Sequence, residues 1–225
     1  PSFVGRGGCL SAGAVGLAGP SGSGDINTSQ SLIASVQSAG SPVNGAVVTL
    51  NCVSGPNAGA TAVVITGASG SGTHTYTSSS PGTDMWTASY TPSGGALETT
   101  NPVPVVWMVP TIFTVTATPA SVTYGTSSTL AESGLPGVST GTVTFTSGGA
   151  TLCTITRPAT TCTTSVSLDA GSYPITATYS GDDTYDGSTA STALTVTQAT
   201  TAITAGATPP SVPYGTASTL AASGL

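Results

Sequence analysis

The 225-residue chain is 38% hydrophobic but only 4% charged, with two arginines, no lysine, eight acids and a formal net charge of −6. Phosphate backbones and anionic lipid surfaces are gripped by clustered cations, so this composition argues against nucleic acid and against an electrostatic membrane patch. No apolar run approaches the roughly eighteen residues of a membrane-spanning helix, and the longest, around Val105–Val109, is broken by prolines.

The length suits about two domains of roughly 100 residues each. Residues 1–26 are small and Gly/Ala/Ser-rich, and they are read as an N-terminal arm, either a flexible leader or a segment that packs against a neighbour. The arm lacks the dense apolar stretch of a secretory leader, and Arg6 stands where a lipoprotein signal would place an aliphatic residue before Cys9. From Asn27 a period-2 pattern begins. Leu32, Ala34 and Val36 share one face, SPVNG turns the chain, and Ala46, Val48, Leu50 and Cys52 share the next. Further strands are predicted in AVVIT, in THTYT, along Trp86, Ala88 and Tyr90, and in PVPVVWMV, where the early prolines suit a sheet edge. Short strands, frequent turns and no helical window predict a β-sandwich over 27–109.

The same grammar predicts a second sandwich over 110–198, with Phe113, Val115, Val122, Tyr124, Val143, Phe145, Tyr173, Ile175, Ala177, Tyr179, Leu194 and Val196 facing its core. Residues 117–135, ATPASVTYGTSSTLAESGL, then return at 207–225 as ATPPSVPYGTASTLAASGL, with 15 of 19 positions identical. A spacing of 90 residues is the size of a domain, so 199–225 is read as the start of an incomplete third copy. It is expected to be completed further along a longer chain, or in trans by another. The fold class is therefore all-β, as tandem β-sandwiches.

The stretch SPVNGAVVTLNCVSGPNAGATAVVITGASGSGTHTYTSSSPGTDMWTASY resembles the immunoglobulin (Ig)-like domains of invasin- and intimin-type bacterial surface proteins. TPASVTYGTSSTL, TGTVTFTSGG and LDAGSYPITATYSGDDTYDGSTA are similar to another bacterial Ig-like repeat group of large surface proteins. The resemblance implies tandem Ig-like sandwiches on the outside of a bacterium, used as stalk or adhesive modules, and implies no activity.

Four cysteines remain to be placed. Cys153 and Cys162 flank a short turn around Arg157 and Pro158, and a hairpin centred there would set them opposite one another for a disulfide, which suits an oxidising compartment. Cys52 has core parity and Cys9 lies in the arm. A bridge between them, free buried thiols and an intermolecular link all stay open.

Catalytic signatures are poor. His74, the single histidine, shares strand parity with Tyr76. Ser139 in GVSTG matches the nucleophile motif without its strand-to-helix turn. Glu98 and Glu132 are isolated, unlike a glycosidase pair. Asp182, Asp183 and Asp186 in GDDTYDGS form a weak calcium candidate, since oxygen-rich loops hold calcium, although Asp and Gly are also ordinary turn residues. Trp86 and Trp107 offer either a sugar-stacking platform or core packing. The sequence thus reads as a non-enzyme without cofactor, extracellular or on the cell surface, and structural or adhesive. The favoured role is a subunit of a surface filament or matrix, whose partners are copies of itself and a cell-surface or glycan target. A monomeric adhesin stalk, a phage virion or tail protein, and an accessory module of a secreted polysaccharide-active enzyme are the alternatives.

Overall fold

The computed structural model describes residues 13–224, which form strands and connections without a helix among them. The chain divides into two compact units. Among the described residues, the first takes the chain from Gly13 to Ile112 together with Leu135–Gly141 and Tyr179–Ser188; the second takes Phe113–Gly134, Thr142–Thr178 and Thr189 to Gly224.

The first unit contains β1 (Gly13–Ala18), β2 (Gly24–Asp25), β3 (Gln30–Ser38), β4 (Ser41–Pro42), β5 (Val47–Ser54), β6 (Thr61–Ile65), β7 (Ser71–Tyr76), β8 (Gly82–Tyr90), β9 (Glu98–Thr99) and β10 (Val103–Met108). One sheet centres on β3, which pairs antiparallel with β1, β4 and β7. The other runs β2-β10-β8-β5-β6, with β9 added to β8. Alternation does the sorting. Leu32, Ala34 and Val36 of β3, Val48, Leu50 and Cys52 of β5, Trp86 and Ala88 of β8, and Val105 and Trp107 of β10 meet in one core, each at most 3% exposed. Removing a large apolar side chain from water stabilises by about 1.5–3 kcal/mol, so this cluster is the main cohesive element of the unit.

The described part of the expected loose arm is ordered. Residues 13–18 form β1, paired with β3 along its length, and Gly24–Asp25 run parallel to the end of β10. Val15 and Leu17 pack on the core, and that contact fixes a segment whose glycines and alanines looked too weak to hold a strand. Gly16 sits close to β3, since a Cβ on it would lie 2.7 Å from the Ser35 hydroxyl and turn that side chain aside. β10 is one strand in from the edge, because β2 covers only Trp107 and Met108. Its proline, Pro104, falls on the uncovered stretch.

The second unit contains β11 (Thr114–Thr118), β12 (Ser121–Thr123), β13 (Thr129–Ser133), β14 (Thr142–Ser147), β15 (Ala150–Thr156), β16 (Thr161–Thr163), β17 (Gly171–Tyr179) and β18 (Ser188–Thr197). β11-β13-β16 make one sheet and β12-β18-β17-β14-β15 the other. Val115, Leu130, Val143, Phe145, Ile155, Ile175, Ala177, Leu194 and Val196 are buried between them, whereas Tyr124, expected inside, is 49% exposed on the turn after β12.

Cys153 and Cys162 are disulfide-bonded, but not across a hairpin. β15 pairs with β14 and β16 with β13, so the chain changes sheets between the two cysteines. The bridge therefore joins the edge strand of one sheet to the edge strand of the other. Between the same layers Arg157 forms a buried ion pair with Glu132 of β13, whose second oxygen, Oε2, has no hydrogen-bond partner.

The last strands, β19 (Thr204–Thr208) and β20 (Thr219–Ser223), form a separate two-stranded sheet. It repeats the β11/β13 pairing at an offset of 90 residues: Thr114 faces Ser133 and Thr118 faces Thr129, as Thr204 faces Ser223 and Thr208 faces Thr219. The side chains follow. The Ser128 hydroxyl donates to the Pro119 carbonyl, and that of Ser218 to the Pro209 carbonyl. Leu130 is fully buried, while its counterpart Leu220 is 82% exposed.

Truncating one member of a buried ion pair strands the other charge. Arg157→Met is therefore expected to cost the second unit about 3–5 kcal/mol, and Glu132→Leu combined with Arg157→Met to recover most of it, measured as urea-unfolding midpoints.

Candidate functional site

The most constrained polar cluster lies inside the first unit. Asp84 has the core parity of its strand neighbours Trp86 and Ala88, and it is completely buried. A carboxylate there is tolerable only if donors converge on it. Oδ1 accepts the Asn57 backbone N–H at 2.8 Å; Oδ2 accepts the Asn57 side-chain amide at 2.7 Å, the Trp107 indole N–H at 2.8 Å and the Tyr76 hydroxyl at 3.3 Å. The Tyr76 oxygen in turn accepts the Trp86 indole N–H at 2.7 Å. Tyr76 comes from β7 in one sheet and the indoles from β8 and β10 in the other, so the network crosses the sandwich.

Ring geometry reinforces it. Tyr76 meets Trp86 edge-on at 4.9 Å and Trp107 at 5.4 Å, and His74 stacks on Tyr76 at 5.9 Å. Asn57 reaches Asp84 because Gly55 (φ +106°) lets the SGPNAG loop pass close to β8; a Cβ there would stand 2.3 Å from the Thr83 carbonyl oxygen. Burial pushes the Tyr76 hydroxyl well above its ordinary range, and the Asp84 charge adds to the rise. Burial first, and Asp84 second, push the Cys52 thiol up to about 11, so it is a protonated, unreactive thiol that donates to the Ser54 carbonyl.

The acidic turn is a second cluster in the same unit. Oδ1 of Asp182 accepts the backbone N–H groups of Thr184 and Tyr185, each at 2.8 Å. Its Oδ2 accepts the Thr140 N–H at 2.7 Å, the Thr140 hydroxyl at 3.2 Å and the Tyr179 hydroxyl at 3.1 Å. Partial burial opposes ionisation, but these donors outweigh it and hold the carboxyl far below the usual carboxylate range. The turn also grips the strand end before it: the Val109 N–H donates to Thr184, and the Thr111 hydroxyl to the Asp186 carbonyl.

The residues singled out in the sequence are dispersed. Asp182 spends its oxygens on protein donors, Asp183 is exposed, Asp186 accepts the Gly187 N–H, and among the described residues no three His, Cys, Asp or Glu side chains gather as a metal ion requires. Both tryptophans are core residues, 1% and 0% exposed, so the sugar-platform alternative falls away. His74 is a half-buried strand residue, and Ser139 is buried in the 135–141 loop with no strand-to-helix elbow around it. Glu98 borders a cavity of about 500 Å³ beside Tyr90 and Pro92, while Glu132 belongs to the other unit. The Cys9–Cys52 bridge involves a residue outside the described ones; Cys52 itself is a free buried thiol. Sequence reasoning missed Asp84 and Asn57. A charged residue on the core parity of a strand was the signal that pointed to Asp84.

Two outcomes follow from this geometry. Asp84→Ala leaves the Trp107 indole N–H, the Asn57 amide and backbone N–H and the Tyr76 hydroxyl without their shared acceptor, and is expected to lower stability by about 3 kcal/mol or more with loss of the near-UV tryptophan dichroism. For Asp182, whose carboxyl is depressed in the folded state, the stabilisation is complete above the unfolded value of about 3.9 and disappears as pH falls through the folded one. Thermal melts from pH 6 to 2 should therefore fall less steeply for Asp182→Asn than for the parent chain.

Residues 115–199 match the sequence pattern of the family described as bacterial Ig-like domain (group 3). No curated protein sequence matches the chain. Among solved structures, murine CEACAM1b aligns with a TM-score of 0.52 at 11% identity, covering 83% of this chain and all of that one. The fibronectin(III)-like modules of Clostridium thermocellum CbhA align at 0.46 and 17% identity, covering 81% and 94%. A C-terminal fragment of intimin, solved with its translocated receptor's binding domain, aligns at 0.46 and 16%, covering 82% of this chain and 63% of the fragment. The chain is thus all-β and Ig-like in fold, with residues 115–199 similar to the bacterial Ig-like domain (group 3).

Proposed function

We propose that the chain is a structural and adhesive piece of an exported bacterial surface assembly, in which Ig-like sandwiches follow one another in tandem and contribute length, stiffness and contact faces rather than catalysis. The observation that carries this reading is the return of the β11/β13 hairpin, pairing and side-chain hydrogen bonds included, 90 residues later in β19/β20. A spacing of one domain between equal hairpins is what an array of domains produces.

Three features support the surface location and the adhesive role. The group 3 Ig-like match covers the middle of the chain. The disulfide suits an oxidising compartment. Tyr124 and Tyr214 occupy equivalent turns and are both exposed, so successive copies display an aromatic ring at the same point, a residue type enriched at contact surfaces. Copies of the same chain, and a protein or glycan on another surface, are the partners this reading implies.

Electron microscopy of the full chain over a dilution series tests it. Ordered filaments or particles holding many copies are the expected result. Short single rods at every concentration would remove the assembly role and leave that of a monomeric stalk.

A further inference from the structure

Among the described residues, the β6 edge of the first unit is unpaired on its outer side. β6 ends its sheet, and its antiparallel partner is β5. The hydrogen-bond phase shows which groups are left over. The Cys52 N–H donates to the Ala60 carbonyl and the Thr66 N–H to the Ala46 carbonyl, so the even-numbered residues of this segment bond to β5. Thr61, Val63 and Ile65 therefore turn their N–H and C=O groups away from β5. Gly72 lies beside the Ile65 carbonyl, so close that a Cβ on it would stand 2.8 Å from that oxygen, which leaves Thr61 and Val63 as the open positions.

Nothing guards this edge. TAVVI contains no Lys, Pro or charge, the usual devices against edge pairing. The sheet face beside it exposes Val63 (63%), Ile65 (66%), Val47 (57%) and Val53 (54%), with the uncharged Thr49 and Asn51 between them. The occupant follows from charge. The chain has a net charge of −6, so two copies repel wherever acids face each other. Yet no charged residue lies between Asp25 and His74, a stretch that contains all of β3 to β6. A neutral strand with strong β-propensity and unpaired backbone groups fits an identical neutral strand, which can approach without desolvating an ion.

We infer that two copies of this chain pair antiparallel through their β6 edges, Thr61 and Val63 of one exchanging N–H···O=C bonds with Val63 and Thr61 of the other. The contact is isologous, so it closes on a pair and extends one sheet across both molecules. It rests on the assembly reading above and names one surface that would join chains laterally. A five-residue edge is small against standard interfaces, which places it among weak, concentration-dependent contacts.

Sedimentation velocity of the full chain from about 1 to 200 µM, the range in which a micromolar pair forms, reads the contact directly. The parent chain should move from one chain mass toward two. Val63→Pro removes an N–H that β5 does not use, and Val63→Lys places a charge on the exposed face; each should weaken pairing at least about ten-fold with an unchanged thermal midpoint. If Val63→Pro fails to fold, Val63→Lys alone decides. Parent and folded variants that associate equally would overturn the β6 pairing and keep assembly through another face. A parent chain that stays single throughout would overturn both.

Discussion

A buried carboxylate is the constraint around which the first unit is arranged. Asp84 sits where a strand of this parity should place an apolar side chain, and an ion in that position is costly unless several donors meet it. The loop after β5 bends through a positive-φ glycine so that Asn57 can supply two of them, and two tryptophans and a tyrosine turn their polar ends inward. The surrounding rings need that same orientation to pack edge-on. One acid thus sets the loop course, the aromatic geometry and the spacing of the sheets together. The cluster offers no open position to a substrate, which is why it reads as architecture.

The second unit solves the same problem differently. Its layers are joined by the Arg157–Glu132 pair and by the Cys153–Cys162 bridge, both placed where the chain crosses from β15 to β16. Hydrophobic alternation supplies the bulk of cohesion in each unit, and the polar or covalent link fixes which layer meets which. The counterpart of Glu132 in the last hairpin is Ala222, so the repeat keeps the hairpin and drops the ion pair.

Much of the fold was legible because strand periodicity is blunt and strong. Leu32, Ala34 and Val36, or Ile175 and Ala177, are spaced two apart and lie buried as that spacing requires. β1 was not legible. Its two inward apolar residues stand among glycines and alanines, and only pairing with β3 makes a strand of them. The disulfide partners were readable from their closeness in sequence, but not the crossing between sheets, which depends on where the β14/β15 pairing stops. Tyr124 misled because alternation continues past the end of β12 into a turn. At the polar clusters, Asp182 was visible as a turn residue, whereas the convergence on Asp84 joins β8 to residues from β7, β10 and a loop that no local pattern connects.

The position of the Cys153–Cys162 bridge also has a mechanical meaning. Tension applied along the chain enters the second unit near β11 and leaves near β18, and the disulfide provides a covalent shortcut between the two sheet edges. Residues 154–161 lie outside the load path, so unfolding under force releases less slack, shorter by about 30 Å at roughly 3.3–3.6 Å per extended residue. A chain built this way yields in shorter steps and keeps its two ends nearer to one another under load.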